Sequence, residues 1–314
     1  HRDLHSFPTR RSSDLLLMVP SAFGAAVYQL NVVVVTLLAS FLPEGSVSYL
    51  WYADRVSEFS LGIFSIAVAT AALPTLSEHA AEKDMESLKD TMSYSLRLAF
   101  LIDIPAAVGL FILALPIVSI LFERGEFDRA TTMATSGALV FFAAKIPFVS
   151  GVRNLVPGFF ALKDAKTPVA ISAAAVVVNT AAALLLMGPL LHRGLAAALV
   201  ISSAANFFLL LYFFRRKVGP VGARRILKSV AKSCAASAIM GAALLGALEF
   251  ANPYLTGPLL QRAGVLVAIV ALGAGVFLAA ARVINPEDFS ALSGLIRRRR
   301  SRGASPSSKG PSTR

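Results

Sequence analysis

Residues 168–188 read PVAISAAAVVVNTAAALLLMG, 21 consecutive positions without a charge. A helix of that length rises about 30 Å, the thickness of a bilayer's hydrocarbon core. A membrane strand would need only about 10 residues and would alternate apolar with polar side chains, which this stretch does not. In hydrocarbon every backbone donor and acceptor has to be satisfied within the segment, so the stretch predicts a transmembrane helix. Seven further blocks of this kind lie at 16–42, 46–76, 92–121, 131–161, 194–214, 230–250 and 263–284. The expected fold class is an all-α polytopic membrane protein with eight transmembrane helices.

The composition agrees. Of 314 residues, 56% are hydrophobic and 15% charged, against roughly 25% charged in soluble domains. The mean hydropathy is +0.68. A soluble globule is excluded. The single cysteine, Cys234, excludes an internal disulfide and a cysteine-based metal cluster.

The formal charge of +12 would suggest nucleic acid in a soluble chain, but its distribution decides otherwise. Eighteen basic residues follow the second, fourth, sixth and eighth blocks: Lys83 and Lys89, Lys163 and Lys166, seven from Arg215 to Lys232, and seven from Arg297 to Arg314. Only four, Arg124, Arg129, Arg193 and Arg262, follow the odd blocks. The positive-inside rule then predicts that the even connections and both ends of the chain are cytoplasmic. Anionic membrane lipids are partner enough for such residues, and no nucleic acid is expected.

The same pass divides the chain. Residues 1–15 (HRDLHSFPTRRSSDL) are polar, lack an initiator Met and are expected to be a non-native or truncated leader. Six helices occupy 16–217, a basic linker containing GPVGARR spans 218–229, and two more helices lie within 230–286. The stretch 287–314 has the Ser, Gly, Pro and Arg content of a disordered cytoplasmic tail.

Ionisable groups inside membrane helices cost roughly 2.5–3.5 kcal/mol each near the helix centre, which makes them the first candidates for function. The second block holds the densest set, Asp54, Arg55 and Glu58 in YLWYADRVSEFSLG. At 100° per residue Ser48, Trp51, Arg55, Glu58, Gly62 and Ser65 share one stripe, with Asp54 beside it. Two readings stay open: a cavity-facing charge cluster, or Arg55 and Asp54 pairing with each other while snorkelling to the outer surface. The fourth block carries Lys145, Arg153 and Asn154 with Pro147 and Pro157, and Lys145 and Arg153 are about 80° apart, able to face one cavity. Gln29, Thr36 and Ser40 share a stripe of the first block, with Asn31 on the opposite side; ligand contact and interhelical hydrogen bonding explain them equally. Asp103 is a counter-ion or a structural group beside Pro105, and Asn179 and Asn206 are more often interhelical glue. Ser233, Ser237 and Gly241 allow a close helix approach. The four histidines, His1, His5, His79 and His192, are expected in loops or the leader, with no metal-ligand spacing, Walker loop or nucleophile elbow. Buried charge without such motifs points to a secondary transporter or channel, not an enzyme, with no cofactor and no metal.

Three segments carry a resemblance: ASFLPEGSVSYLWYADRVSEFSLGIFSIAVATAALPTLS at 39–77, LFERGEF at 121–127 and RNLVPGFFALKDAKTPV at 153–169. Together they resemble the MurJ (MviN) lipid II flippases of bacterial cell-wall synthesis, within the multidrug, oligosaccharidyl-lipid and polysaccharide exporter superfamily. The resemblance runs from about 16 to 284. It implies a fourteen-helix transporter of two six-helix lobes and two extra helices, of which this chain would be the second lobe and the extra pair. It further implies lipid II, an undecaprenyl-diphosphate-linked disaccharide-peptide, as substrate, with alternating access across the bacterial inner (cytoplasmic) membrane. Cell-wall synthesis or division proteins are the further partners it suggests. By the same resemblance Arg55 contacts the diphosphate, Glu58 gates or compensates charge, Asp54 holds Arg55, and Arg153 is a second basic contact. Lys145 joins the substrate-binding set by its position alone. Gln29, Thr36, Ser48 and Asn179 are expected to line the polar cavity. Some members bind sodium through acidic residues on the helices equivalent to the first and fifth blocks, whereas these blocks carry Gln29, Asn31 and Asn179 and no carboxylate, so sodium coupling is not implied. The alternatives are a related polysaccharide-repeat or drug exporter, or a non-transporting membrane scaffold using the basic tail.

Overall fold

The computed structural model describes residues 26, 27 and 29–290, apart from the side chains of 60–71 and 255–256. The leader 1–15, residues 16–25, the side chain of Ser65 and the tail from 291 lie outside the described residues. The described residues are mainly helical: α1 Gln29–Ser40, α2 Ser46–Ala81, α3 Met85–Ile112, α4 Ala114–Phe122, α5 Arg129–Ala161, α6 Lys166–Leu190, α7 His192–Val218, α8 Ala223–Ala251 and α9 Leu259–Ile284. Among the described residues six helices, α3 and α5 to α9, are long and apolar enough to cross a membrane.

Several helices outrun their apolar blocks because polar turns and caps extend them beyond the hydrocarbon. α3 starts seven residues before position 92, where the Asp84 carboxylate accepts from the Ser87 N–H at 3.0 Å. Asp128 starts α5 in the same way through Thr131, and Asp164 starts α6 through Thr167. α8 begins inside the stretch expected to be linker, so the connection from α7 shrinks to 219–222, with Gly219 and Gly222 at φ 91° and 62°. The third block breaks into α3 and α4 at Leu113. Pro116 explains the break: it cannot donate to the Ile112 carbonyl, and its ring crowds that oxygen. Two of the histidines expected in loops are helical, His79 in the last turn of α2 and His192 at the start of α7.

Two junctions are built alike. Lys83 and Lys163 take left-handed conformations (φ 60° and 56°) after α2 and α5. The N–H groups of Asp84 and Asp164 then close back onto His79 O and Phe159 O, each at 2.9 Å, a Schellman closure whose last residue caps the next helix.

α5 is the hub, packed on α2, α3, α4 and α7, while α6 pairs with α7. The α8–α9 hairpin docks on the bundle chiefly through α3. Gly241 permits this: a Cβ there would meet the side chains of Ile112 and Val108 at 3.2 and 3.3 Å. One apolar cluster, including Leu50, Leu110, Phe142, Ile146 and Leu195, fills the end of the bundle near α4. A second, including Leu88, Met92, Phe159, Phe207 and Phe214, fills the other end. Lys145 and Arg153 of α5 lie where these two clusters meet.

Ion pairs lace the second end. Lys217 pairs with Asp164, and Arg225 with Asp90 at 3.4 Å. Buried Asp288 joins Arg97 at 2.8 Å, Ser229 and Asn285, fastening the chain after α9 to both α3 and α8.

Candidate functional site

α2 is 36 residues, about 54 Å, and Arg55 lies about 14 Å from its start. Asp54 and Arg55 are neighbours and so point about 100° apart. Asp54 turns into the bundle, where Lys145 Nζ donates to its Oδ1 at 2.7 Å. Arg55 faces outward, its side chain 59% exposed, donating from Nη1 to Glu58 Oε2 at 3.0 Å and lying 5.2 Å over the Trp51 ring. The expected partnership of Asp54 with Arg55 is therefore replaced by two pairs, one inside the bundle and one on its surface. The reason is helical phase: one turn separates Arg55 from Glu58 on the same face, while Asp54 has a buried ammonium opposite it.

Lys145 is held on both sides, since its Nζ also lies 4.1 Å over the Phe142 ring. Arg153, two turns along α5, makes no ion pair or hydrogen bond among the described residues. Lys145 and Arg153 do share a cavity, of about 310 Å³, with Asp54, Glu58, Asn31 and Asn206 and with serines of α6 and α7. Two cations and two carboxylates thus line the cavity; Lys145 is paired with Asp54, and Glu58 with Arg55 outside the cavity, which leaves Arg153 as the lining cation without an ion pair among the described residues. A site of this kind attracts an anion, and Arg offers phosphate oxygens a planar fork of donors.

The expected cavity-lining residues are distributed otherwise. Gln29 and Thr36 are exposed on the outer face of α1. Asn179 is fully buried and donates to Asn31 Oδ1 at 2.8 Å, tying α6 to α1, so Asn31 on the opposite stripe is the one that reaches the cavity. Ser48 lies in a separate outer pocket with Tyr49, Tyr52 and Phe127. That pocket is walled by LFERGEF, which turns at Gly125 (φ 57°), pairs Glu123 with Arg129 at 3.3 Å, and packs Phe122 and Phe127 on Tyr52. Asp103 is buried and accepts from Ser150, beside a Ser95 to Asn154 bond of 2.8 Å, a polar seam between α3 and α5. Ser202, Ser203 and Asn206 escaped the sequence reading as a set, although Ser202 and Asn206 stand one turn apart on α7.

The family described as Lipid II flippase MurJ matches residues 12–263 of the chain. The chain belongs to that family. A probable lipid II flippase MurJ of Haemophilus influenzae is 41% identical over 161 residues, which are 49% of this chain and 32% of that protein. One from Vibrio cholerae is 39% identical over 153 residues, 49% of this chain and 29% of that protein. The matches therefore span about a third of the length of these MurJ relatives. Among solved structures, a lipid II flippase MurJ in an inward closed conformation superposes with a TM-score of 0.69 at 23% identity, covering 90% of this chain and 57% of that one. An outward-facing multidrug resistance MATE family transporter of the MOP superfamily gives a TM-score of 0.55 at 15% identity, covering 87% and 65%. MurJ membership and six apolar helices make this a multi-pass membrane protein of a transporter family.

Proposed function

We propose that the chain supplies the second six-helix lobe and the two extra helices of a lipid II flippase in the bacterial inner membrane. Residues 16–218 form the lobe and 223–290 the extra pair with its fastened end, joined by the short connection 219–222 in place of a 218–229 linker, between a leader at 1–15 and a basic tail that starts after the helical, buried stretch around Asp288 and not at 287. α1 and α2 complete the eight spans. The ends rich in Lys and Arg, and both ends of the chain, face the cytoplasm. The observation that carries the reading is the outward stripe of α2. Trp51 and Arg55 are exposed and Glu58 is half-buried beside them; with α2 as a span, lipid against that face would cost each ion roughly 2.5–3.5 kcal/mol, so the face belongs against a watery cleft or another lobe. In the cleft Arg55 takes the diphosphate, Glu58 releases Arg55 to the substrate and recovers it afterwards, and Arg153 with Lys145 supplies positive potential from behind. Asp54 keeps Lys145 charged and in place. Lipid II is the substrate this arrangement suits, as the names of the relatives suggest.

The test joins the chain to a first lobe from a MurJ relative and asks whether the product sustains cells depleted of their own lipid II flippase. Growth is the expected result; a well-expressed, inserted protein that gives none overturns the reading.

A further inference from the structure

At the end of the bundle where Asp164 meets Lys217, the start of α8, the 219–222 connection and the first turns of α3 surround a second cavity, of about 730 Å³. Four cations reach it, Lys89, Arg224, Arg225 and Lys228. Two are already neutralised, Lys89 by Glu86 and Arg225 by Asp90. Arg224 and Lys228 are exposed and have neither an ion pair nor a hydrogen bond among the described residues.

The helix that carries them is charged against its own dipole. A helix N-terminus bears roughly half a positive charge and favours anions. α8 nevertheless starts with Arg224, Arg225 and Lys228 in its first two turns, with no acidic residue in the first turn and no capping side chain on its free N–H groups. An anion seated in the cavity attracts both the basic side chains and the free N–H groups and so offsets their mutual repulsion. The surroundings favour an anion with an apolar extension. Leu227, 70% exposed, stands between Arg224 and Lys228. From it the exposed apolar residues Ala231, Ala238 and Leu245 run along α8 into the span.

We propose that this cavity binds the phosphodiester headgroup of an anionic phospholipid, with Arg224 and Lys228 on the phosphate and an acyl chain along the Leu227 face of α8. The site is separate from the α2–α5 cluster and does not require the flippase reading. It does take this end as the cytoplasmic one, which is tested apart from it by labelling a Pro220→Cys substitution, in a Cys234→Ser background, from either side of the membrane.

Binding is measured on the purified full chain in neutral detergent, titrated with short-chain phosphatidylglycerol, phosphatidylcholine or inorganic phosphate. Phosphatidylglycerol is expected to bind at least tenfold tighter than the other two. Each basic side chain near a membrane surface contributes about fivefold, so Arg224→Gln with Lys228→Gln should weaken phosphatidylglycerol about 25-fold. Arg215→Gln with Arg216→Gln removes the same charge from the end of α7, outside the cavity, and should weaken it less than about twofold. Both double variants should melt as the parent chain does; a double variant that does not is replaced by the single variants Arg224→Gln and Lys228→Gln, each expected to weaken phosphatidylglycerol about fivefold. Equal losses in the two double variants would show diffuse surface attraction and overturn the proposal. Phosphate binding as tight as phosphatidylglycerol would overturn it in favour of a free-phosphate site.

Discussion

Lys145 shows what a single residue's surroundings require. Its side chain is 11% exposed and its ammonium meets one carboxylate, Asp54, and one aromatic face. Removing one member of such a pair leaves a buried charge uncompensated, at a cost of about 3–5 kcal/mol, whereas replacing both is far milder. Asp54→Asn should therefore lower the melting temperature in detergent, and Lys145→Met added to it should restore most of the loss. Additive losses would mean that the pair does not act as a unit. Asp164 gives a pH signature at the end of the bundle away from α4. Burial pushes its carboxyl up, but hydrogen bonds from Lys217 and Thr167 more than offset this and hold it below its ordinary value of 3.8. Its folded value is depressed, so its contribution is present above pH 3.8 and fades as the pH falls through the lower folded value. Melting curves of the parent chain and Asp164→Asn should differ at neutral pH and converge in acid below 3.8; a gap that persists there would contradict this assignment. The identity of the charged residues was legible from sequence because charge is rare in membrane helices. Their partners were not, since Lys145 lies 91 positions from Asp54 and only tertiary packing chooses between it and Arg55.

Among elements, the α6–α7 hairpin is the tightest. Leu191 alone joins the two helices, at φ 52°. The turn closes only because Gly194 lies against α6: a Cβ there would stand 2.2 Å from the Leu186 carbonyl oxygen, a backbone atom that cannot swing aside. Gly194→Ala should cost about 1–3 kcal/mol and lower the melting temperature. The same change at Gly188, which has open space around it, should be close to neutral, and equal effects would contradict the packing seen here. The apolar blocks from 46 onward located every long helix because hydrocarbon thickness imposes a length. Ends were less legible, since capped polar turns such as 85–91 carry no hydropathy signal. The break at Leu113 had a local sign in Pro116, which the continuous apolar run concealed. The linker reading of 218–229 failed for a related reason: basic residues of the first turns of α8 look like a loop until helical phase is known.

For the whole molecule, the Asp288 contacts fasten the α8–α9 hairpin to α3, while on the outward face of α2 Arg55 pairs with Glu58 of its own helix and, among the described residues, with no ionic partner from the rest of the bundle. The first feature makes the hairpin part of the lobe's rigid frame. The second joins the physics of charge in membranes to the lipid II flippase MurJ family, to which the chain belongs. The proposed substrate and companion lobe rest on that junction, and Arg55 stands at its centre. The most direct test is growth of flippase-depleted cells carrying the chain joined to a first lobe, with Arg55 intact, changed to Lys or changed to Ala, at matched membrane levels. The account predicts full growth with Arg55, at most partial growth with Arg55→Lys and none with Arg55→Ala. Normal growth with Arg55→Ala would contradict it, leaving Arg55 a snorkelling surface residue.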